Sequence, residues 1–203
     1  MQGFQKINLL DVLKYTDEIS VKEALANFSC PNNADVEDFI RNKAIEFSRQ
    51  RLASVWLVLV SHKDEWVTVG YFAIAQKYTH VKLKGLSSNL KRRLKKFVTF
   101  DEELNKYLLA APLIGQLGKN FTNSYDKLIT GAELLKIACD TVAEGQRIFG
   151  GRVVYLECED VPALINFYER NGFVQFGQRV PAGDERDKLK NHSLVQLLKY
   201  LSD

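Results

Sequence analysis

The chain has 203 residues, with 28 Lys and Arg against 25 Asp and Glu, and 46% of it is hydrophobic. That length buries a core without staples, and charged and aromatic fractions of 26% and 11% exclude a disordered, collagenous or low-complexity chain. No apolar run approaches the roughly 18 residues of a membrane helix, and three widely spaced cysteines (Cys30, Cys139, Cys158) make neither a disulfide framework nor a Cys-x-x-Cys zinc pair.

The opening stretch is interrupted by Asp11 and Lys14, so it is not read as a secretion signal, and the protein is expected in the cytoplasm without a structural metal. Ile7 to Leu13 reads as a first strand or a strand running into a turn, and Val21 to Phe28 has helical residues. Cys30-Pro31-Asn32-Asn33 breaks the chain. From Asp35, the spacing of Val36, Phe39, Ile40, Ala44 and Phe47 predicts an amphipathic helix capped near Asn33 or Asp35. Ser54 to Ser61 and Trp66 to Ala75 are β-branched and aromatic, and the polar turn between them makes a hairpin.

Between Lys82 and Lys96 stand seven basic residues and no acidic one, so the positive charge is local. Within that run Leu90, Leu94 and Phe97 recur at helical spacing, which would dock a helix with its Lys and Arg outward. Such a face contacts phosphates of a nucleic acid or is simply solvated. Asp101 to Leu109 reads as a further short helix.

After Pro112 the pattern changes. Leu113 to Gly118 is a short strand, Lys119 to Thr130 a polar loop and Gly131 to Ile148 a helix. Arg152 to Cys158 is a strand, Val161 to Arg170 a helix stopped by Asn171-Gly172, and Phe173 to Val180 a strand. Leu194 to Leu201 is apolar and suits a closing strand, though helix is tolerated. One domain over residues 1–203 is expected: an α/β (α+β) arrangement with a mixed, mostly antiparallel sheet and helices on its faces, carrying a basic insertion at about 78–110. The loop before Gly131 feeds a helix N-terminus, where unpaired N–H groups suit phosphate, with Lys119 and Lys127 nearby.

Ala163-Leu164-Ile165-Asn166-Phe167-Tyr168-Glu169-Arg170-Asn171-Gly172-Phe173 lies between two strands, and Gly131-Ala132-Glu133-Leu134-Leu135 opens the preceding helix. Together these resemble the motifs of the GNAT superfamily of acetyl-CoA-dependent N-acetyltransferases, over roughly residues 54–180. Gly70 to Ala75, the basic run and Pro112 to Leu117 are similar to bacterial acetyltransferase toxins that acetylate aminoacyl-tRNA. Three positions depart from the pattern: Asp126 replaces a Gln or Arg, Ile129 a glycine, and Gln116 an Arg. Ile129 resists a left-handed backbone, and Asp126 adds negative charge beside an anion site.

The resemblance implies a GNAT-like acyl-CoA N-acyltransferase fold, acetyl-CoA as cosubstrate, and an acetyl group passed to a primary amine, with aminoacyl-tRNA or a small amine as acceptor. It implies that Gln116, Leu117 and Gly118 pair with the pantetheine arm and that backbone N–H groups of Lys127, Leu128, Ile129, Thr130, Gly131 and Ala132 hold the pyrophosphate, with Lys119 beside them. Asn166 would reach the cofactor arm, and Tyr168 would be the general acid. Read without the family, Tyr168 is equally a core aromatic, because Leu164, Phe167 and Tyr168 share a helix face. Glu157 and Glu159 are candidate bases or solvent-facing strand-end charges. Cys158 is disfavoured as a nucleophile, since flanking carboxylates raise a thiol pKa. Lys91, Arg92, Arg93, Lys95 and Lys96 would touch tRNA. A homodimer is compatible with this reading, and membrane association is not expected. The competing reading is a catalytically impaired GNAT-fold module that binds RNA or a protein through its basic face.

Overall fold

Eight strands and seven α-helices make up the described residues, 3–181 and 193–201, of the computed structural model. The strand order is β1-β2-β3-β5-β6-β8-β7, with β4 paired to β5 off this path. Every pairing whose register is defined is antiparallel except β5 with β6. The chain divides into two compact units built from interleaved stretches. One is Met1–Ala75 with Gly115–Ala138, and the other is Gln76–Ile114 with Cys139–Asp203.

In the first unit β1 (Gln5–Asn8) pairs with β2 (Ser54–His62), and β2 pairs with β3 (Glu65–Val81). The hairpin turns on two residues, Lys63 and Asp64, at φ 52° and 65°. Left-handed backbone at both positions matches the right-handed strand twist. The strand expected over Ile7 to Leu13 ends at Asn8. There the side chain accepts the Leu10 N–H and starts α1 (Leu9–Tyr15), which buries Leu9. Asp17 caps α2 (Glu18–Ala26) in the same way. Asn33 accepts the N–H groups of Asp35 and Val36 and starts α3 (Ala34–Asp38). The single helix expected here is interrupted by a π-turn at Phe39–Lys43 before α4 (Ala44–Arg49). Both Phe39 and Ile40 in that turn are buried, and Phe39 stacks on Tyr71.

The second unit holds the end of β3, then α5 (Ser88–Leu94), β4 (Val98–Asp101) and β5 (Lys106–Lys119), whose last residues belong to the first unit. The helix expected over Asp101 to Leu109 is instead a hairpin. Phe100 faces Tyr107 across it with ring centroids 5.0 Å apart, and Asp101 accepts the Leu104 N–H in the turn. The short strand expected at Leu113 is therefore the end of a 14-residue one. Residues Thr122–Leu128 form a 3₁₀ segment, followed by α6 (Gly131–Phe149), β6 (Val153–Glu159), α7 (Pro162–Arg170), β7 (Val174–Arg179) and β8 (Leu194–Tyr200). β8 inserts between β6 and β7, antiparallel to both, so the strands flanking α7 are not neighbours. The parallel partner of β6 is β5, at Leu113 opposite Tyr155 and Ile114 opposite Leu156.

α5 docks as its apolar spacing requires. Leu94 is fully buried in a cluster with Val81, Leu86, Leu109, Tyr155, Phe176 and Leu198, and Leu90 and Phe97 pack on its edge. No helix among the described residues is long and apolar enough to cross a membrane. Leu94→Ala is expected to lower stability by about 2–5 kcal/mol through lost burial and a residual cavity, measured by urea unfolding. A smaller loss would mean that α5 is not anchored by this side chain.

Candidate active site

The expected pyrophosphate loop begins where β5 ends. Asn120, which is buried, accepts the N–H groups of Ser29 and Thr122 and donates to the Thr68 carbonyl, while its own N–H donates to Val69. Gly70 and Gly118 come close at this point. A Cβ on Gly70 would lie 2.9 Å from the Gly118 carbonyl oxygen, and one on Gly118 would collide with Val36. Within the loop Asn123 and Ser124 turn left-handed at φ 51° and 62°.

The departure at Ile129 is harmless to the backbone. The residue is extended (φ −141°, ψ 140°), and its side chain is buried. The departure at Asp126 is partly offset, because Lys119 Nζ donates to the Asp126 carbonyl at 2.9 Å and lies over the Phe121 ring. Lys127 is exposed.

The start of α6 is self-capped. Thr130 donates its N–H and its hydroxyl to Glu133 Oε2 at 2.8 and 2.7 Å, and Glu133 N–H donates back to Thr130 Oγ1 at 3.2 Å. This reciprocal pair is a capping box. It engages the N–H of Thr130, one of the expected phosphate donors, and leaves Gly131 and Ala132 as the donors of the first turn. Gln116 is held away from the loop. Its amide nitrogen donates to Asp35 at 3.0 Å, and its oxygen accepts weakly from Tyr71 at 3.4 Å.

In the second unit Tyr168 is half-buried on α7, with its ring against Phe167 at 5.0 Å and Phe173 at 5.9 Å. Burial, and secondarily Cys158, raises its phenol above the ordinary value of 10, so it is a protonated donor at neutral pH. Asn166 is exposed. Two residues apart on a helix, at about 100° per residue, Asn166 and Tyr168 leave α7 in opposite directions, so the structure does not bring them together. Burial, then Asp160 and Glu159, pushes the Cys158 thiol up to about 11, in line with its expected inertness.

The two glutamates of β6 differ sharply. Glu157 gives Oε2 to the Arg179 guanidinium at 2.6 Å and Oε1 to the Gln196 amide at 2.8 Å. Glu159 Oε2 is buried with no hydrogen-bond partner. Neither Arg179 nor Gln196 carried any motif signal. The Thr130-x-x-Glu133 pattern does, as a capping box.

On α5 and just beyond it, Arg92, Arg93, Lys95 and Lys96 are exposed and Lys91 is partly covered. Arg93 packs over the Tyr200 ring at 5.0 Å, so it also anchors the helix.

Among solved structures, AtaT complexed with acetyl-methionyl-tRNAfMet aligns with a TM-score of 0.61 at 15% identity, covering 95% of this chain and 94% of that one. The fold is that of the GNAT acetyltransferases. A Tyr-to-Phe variant of KacT gives the same TM-score at 12% identity, covering 97% and 94% of the two chains. AtaTR bound with AcCoA gives 0.54 at 14%, covering 95% and 91%. No family model matches the sequence, and no curated protein matches it. The expected GNAT fold is therefore present, with its loop, long helix and Gly-Phe strand in the expected order.

The self-cap has a pH signature. Bonds from Thr130 hold the Glu133 carboxyl below its usual 4.5, so its contribution is complete above that value and is lost as pH falls through the lowered one. Glu133→Gln should therefore separate from the parent in melting temperature more at pH 6 than at pH 3. An equal separation at both would show that the charged form contributes nothing.

Proposed function

We propose that the chain is an acetyl-CoA-dependent N-acetyltransferase whose acceptor is a primary amine, first of all that of aminoacyl-tRNA. The observation that carries this reading is a protonated phenol, Tyr168, packed among apolar rings on α7 of a GNAT fold. Two of the similar structures support it: AtaT complexed with acetyl-methionyl-tRNAfMet, and AtaTR bound with AcCoA.

The loop residues fit a diphosphate. Ile129 is turned into the interior, and Gly131 and Ala132 open the first turn of a 19-residue helix, with Lys127 exposed beside them. Their N–H groups, together with the positive helix end, would hold the pyrophosphate. Thr130 would join them once Glu133 releases its N–H. The backbone of Gln116, Leu117 and Gly118 would pair with the pantetheine arm, and Lys119 would keep the loop closed through the Asp126 carbonyl. Acetyl-CoA, when bound, supplies an activated thioester. Tyr168 donates its hydroxyl proton to the departing sulfur, a role open to a phenol that is protonated at neutral pH. Glu159 takes the proton of the attacking amine, because its buried oxygen lacks a partner and an ammonium or amine N–H would satisfy it. Glu157, bound on both oxygens, holds Arg179 and Gln196 in place. The exposed Arg92, Lys95 and Lys96 receive RNA phosphates.

One observation favours the alternative, a GNAT-fold module without catalysis. Glu133 already occupies part of the anion site, and Asp126 adds a second carboxylate. Acetyl-CoA separates the two readings. At a hundredfold excess over its dissociation constant it should stabilise the chain by about 2.7 kcal/mol, and no thermal shift at millimolar ligand would leave only the module. Tyr168→Phe keeps the ring packing. It should lower kcat by about 10²-fold or more while leaving acetyl-CoA affinity unchanged, and an unaltered kcat removes Tyr168 from the acid role.

A further inference from the structure

The first unit holds a cavity of about 560 Å³ that shares no residue with the loop after β5. It is lined by the end of β1, by α1, by the end of α4 with the turn that follows, and by the start of β2. Leu10, Leu13, Ala53 and Trp56 give it apolar walls. Most of its uncharged polar groups satisfy one another. Asn8 Nδ2 and Trp56 Nε1 both donate to Ser54 Oγ, at 3.0 and 2.9 Å. Ser48 is the exception: its hydroxyl is buried and has no partner.

The charged groups of the lining leave one cation over. Lys14 pairs with Asp11 at 2.7 Å, and Arg49 pairs with Glu18 at 2.6 Å. Arg51 makes no ion pair among the described residues. The hydrogen bond from Asp11 raises the Lys14 ammonium and Arg51 acts against it, so two cations stand near each other here. The backbone of Arg51 is unusual as well. α4 ends in a Schellman turn, in which the Arg51 N–H donates to the Ser48 carbonyl at 3.1 Å and the Leu52 N–H to the Phe47 carbonyl at 2.9 Å. The left-handed place in that turn usually falls to glycine, and here Arg51 fills it at φ 58°. An arginine there bears strain that glycine would not, and its guanidinium has no carboxylate to offset it. Residues held in this way cluster where ligands are clamped.

We propose that this cavity binds a small organic anion, whose charged head is held by Arg51 and the Ser48 hydroxyl and whose apolar body lies against Leu13 and Trp56. A guanidinium fork matches the oxygens of a carboxylate or a phosphate. An anion oxygen is also the acceptor that a buried, unpartnered hydroxyl lacks. The volume is that of a small-molecule site, and apolar walls with a few polar groups are the usual lining of one. Nucleic acid fits less well. It is held by several cations at once, and here Asp11 and Glu18 already match Lys14 and Arg49. The site is additional to those of acetyl-CoA and the acceptor amine, and the inference does not rest on either.

The test is a titration of the full chain with benzoate and with phenyl phosphate, followed in proton–nitrogen correlation spectra, with neutral benzamide and inorganic phosphate as controls. At least one of the two organic anions should shift the backbone signals of Arg51 and Leu52 and the indole signal of Trp56, and the shifts should saturate. The tighter of the two identifies the head group as carboxylate or phosphate. Arg51→Gly and Arg51→Asn both suit a left-handed backbone, so each should keep the melting temperature of the parent while weakening binding by about tenfold or more. Ser48→Ala removes the orphan hydroxyl from a helix and should also fold, with binding weakened by about fivefold. No saturable shift at millimolar benzoate or phenyl phosphate overturns the proposal, as does unchanged affinity in both Arg51 variants. A response to benzamide equal to that of benzoate removes the anion, and a response to inorganic phosphate equal to that of phenyl phosphate removes the apolar body; either overturns it. So does a short single-stranded RNA that shifts the same signals when neither organic anion does, which would make this a nucleic-acid face.

Discussion

The buried amide of Asn120 is the constraint on which the junction before the Thr122–Leu128 segment depends. It makes three side-chain hydrogen bonds, to Ser29, Thr122 and Thr68, from a position almost closed to solvent. A buried polar group left without its partners costs about 1–3 kcal/mol, so the amide is satisfied only if the end of β5, the start of β3 and the segment before Cys30 meet. That meeting fixes where the loop from Thr122 begins, and hence the direction from which the chain reaches Gly131. The close approach of Gly70 to the Gly118 carbonyl belongs to the same junction, and neither position has room for a side chain.

At the loop's far end two electrostatic demands oppose each other. The first turn of α6 attracts negative charge, and the chain supplies its own in Glu133. A cap of this kind contributes about 1 kcal/mol. Hydrogen bonds from backbone N–H groups to a charged ligand contribute about 1.5–3 kcal/mol each, so a diphosphate that engages two or three donors outweighs the carboxylate it displaces. The self-cap keeps the helix end satisfied, and under the proposed function a diphosphate would displace it. Under the same proposal Asp126 would oppose that ligand, and Lys119, drawn to the Asp126 carbonyl, would moderate it.

In the second unit the carboxylates are sorted by what surrounds them. Glu157 is fully engaged by Arg179 and Gln196, which fixes it in place. Glu159, one turn of the pleat further on, shares its face of β6 but has a buried oxygen with nothing to accept from. Buried polar atoms without partners are few in native proteins, and it is this vacancy at the end of β6 that underlies the base role proposed for Glu159. The opposite face of the strand carries Cys158, whose raised thiol pKa excludes it as an acyl carrier at neutral pH.

Local patterning was enough to determine most elements: the amphipathic α6, the Gly172 stop of α7, the β2–β3 hairpin and the docking stripe of Leu90, Leu94 and Phe97. Each depends on spacing or on turn chemistry within one element. The GNAT resemblance was legible in the Phe-Tyr and Gly-Phe string for the same reason. Reading went astray where partners were distant. Asp101 to Leu109 looks helical until Phe100 meets Tyr107 across a turn, and Ile7 to Leu13 looks like one strand until Asn8 caps α1. Only the tertiary structure decided that Ile129 lies extended and buried, that Glu157 is occupied while the buried Glu159 Oε2 has no partner, and that Gln196 bridges Thr79 and Glu157. Those facts depend on hydrogen bonds and packing between residues as far apart as Thr79 and Gln196, and no pattern within a single element encodes them.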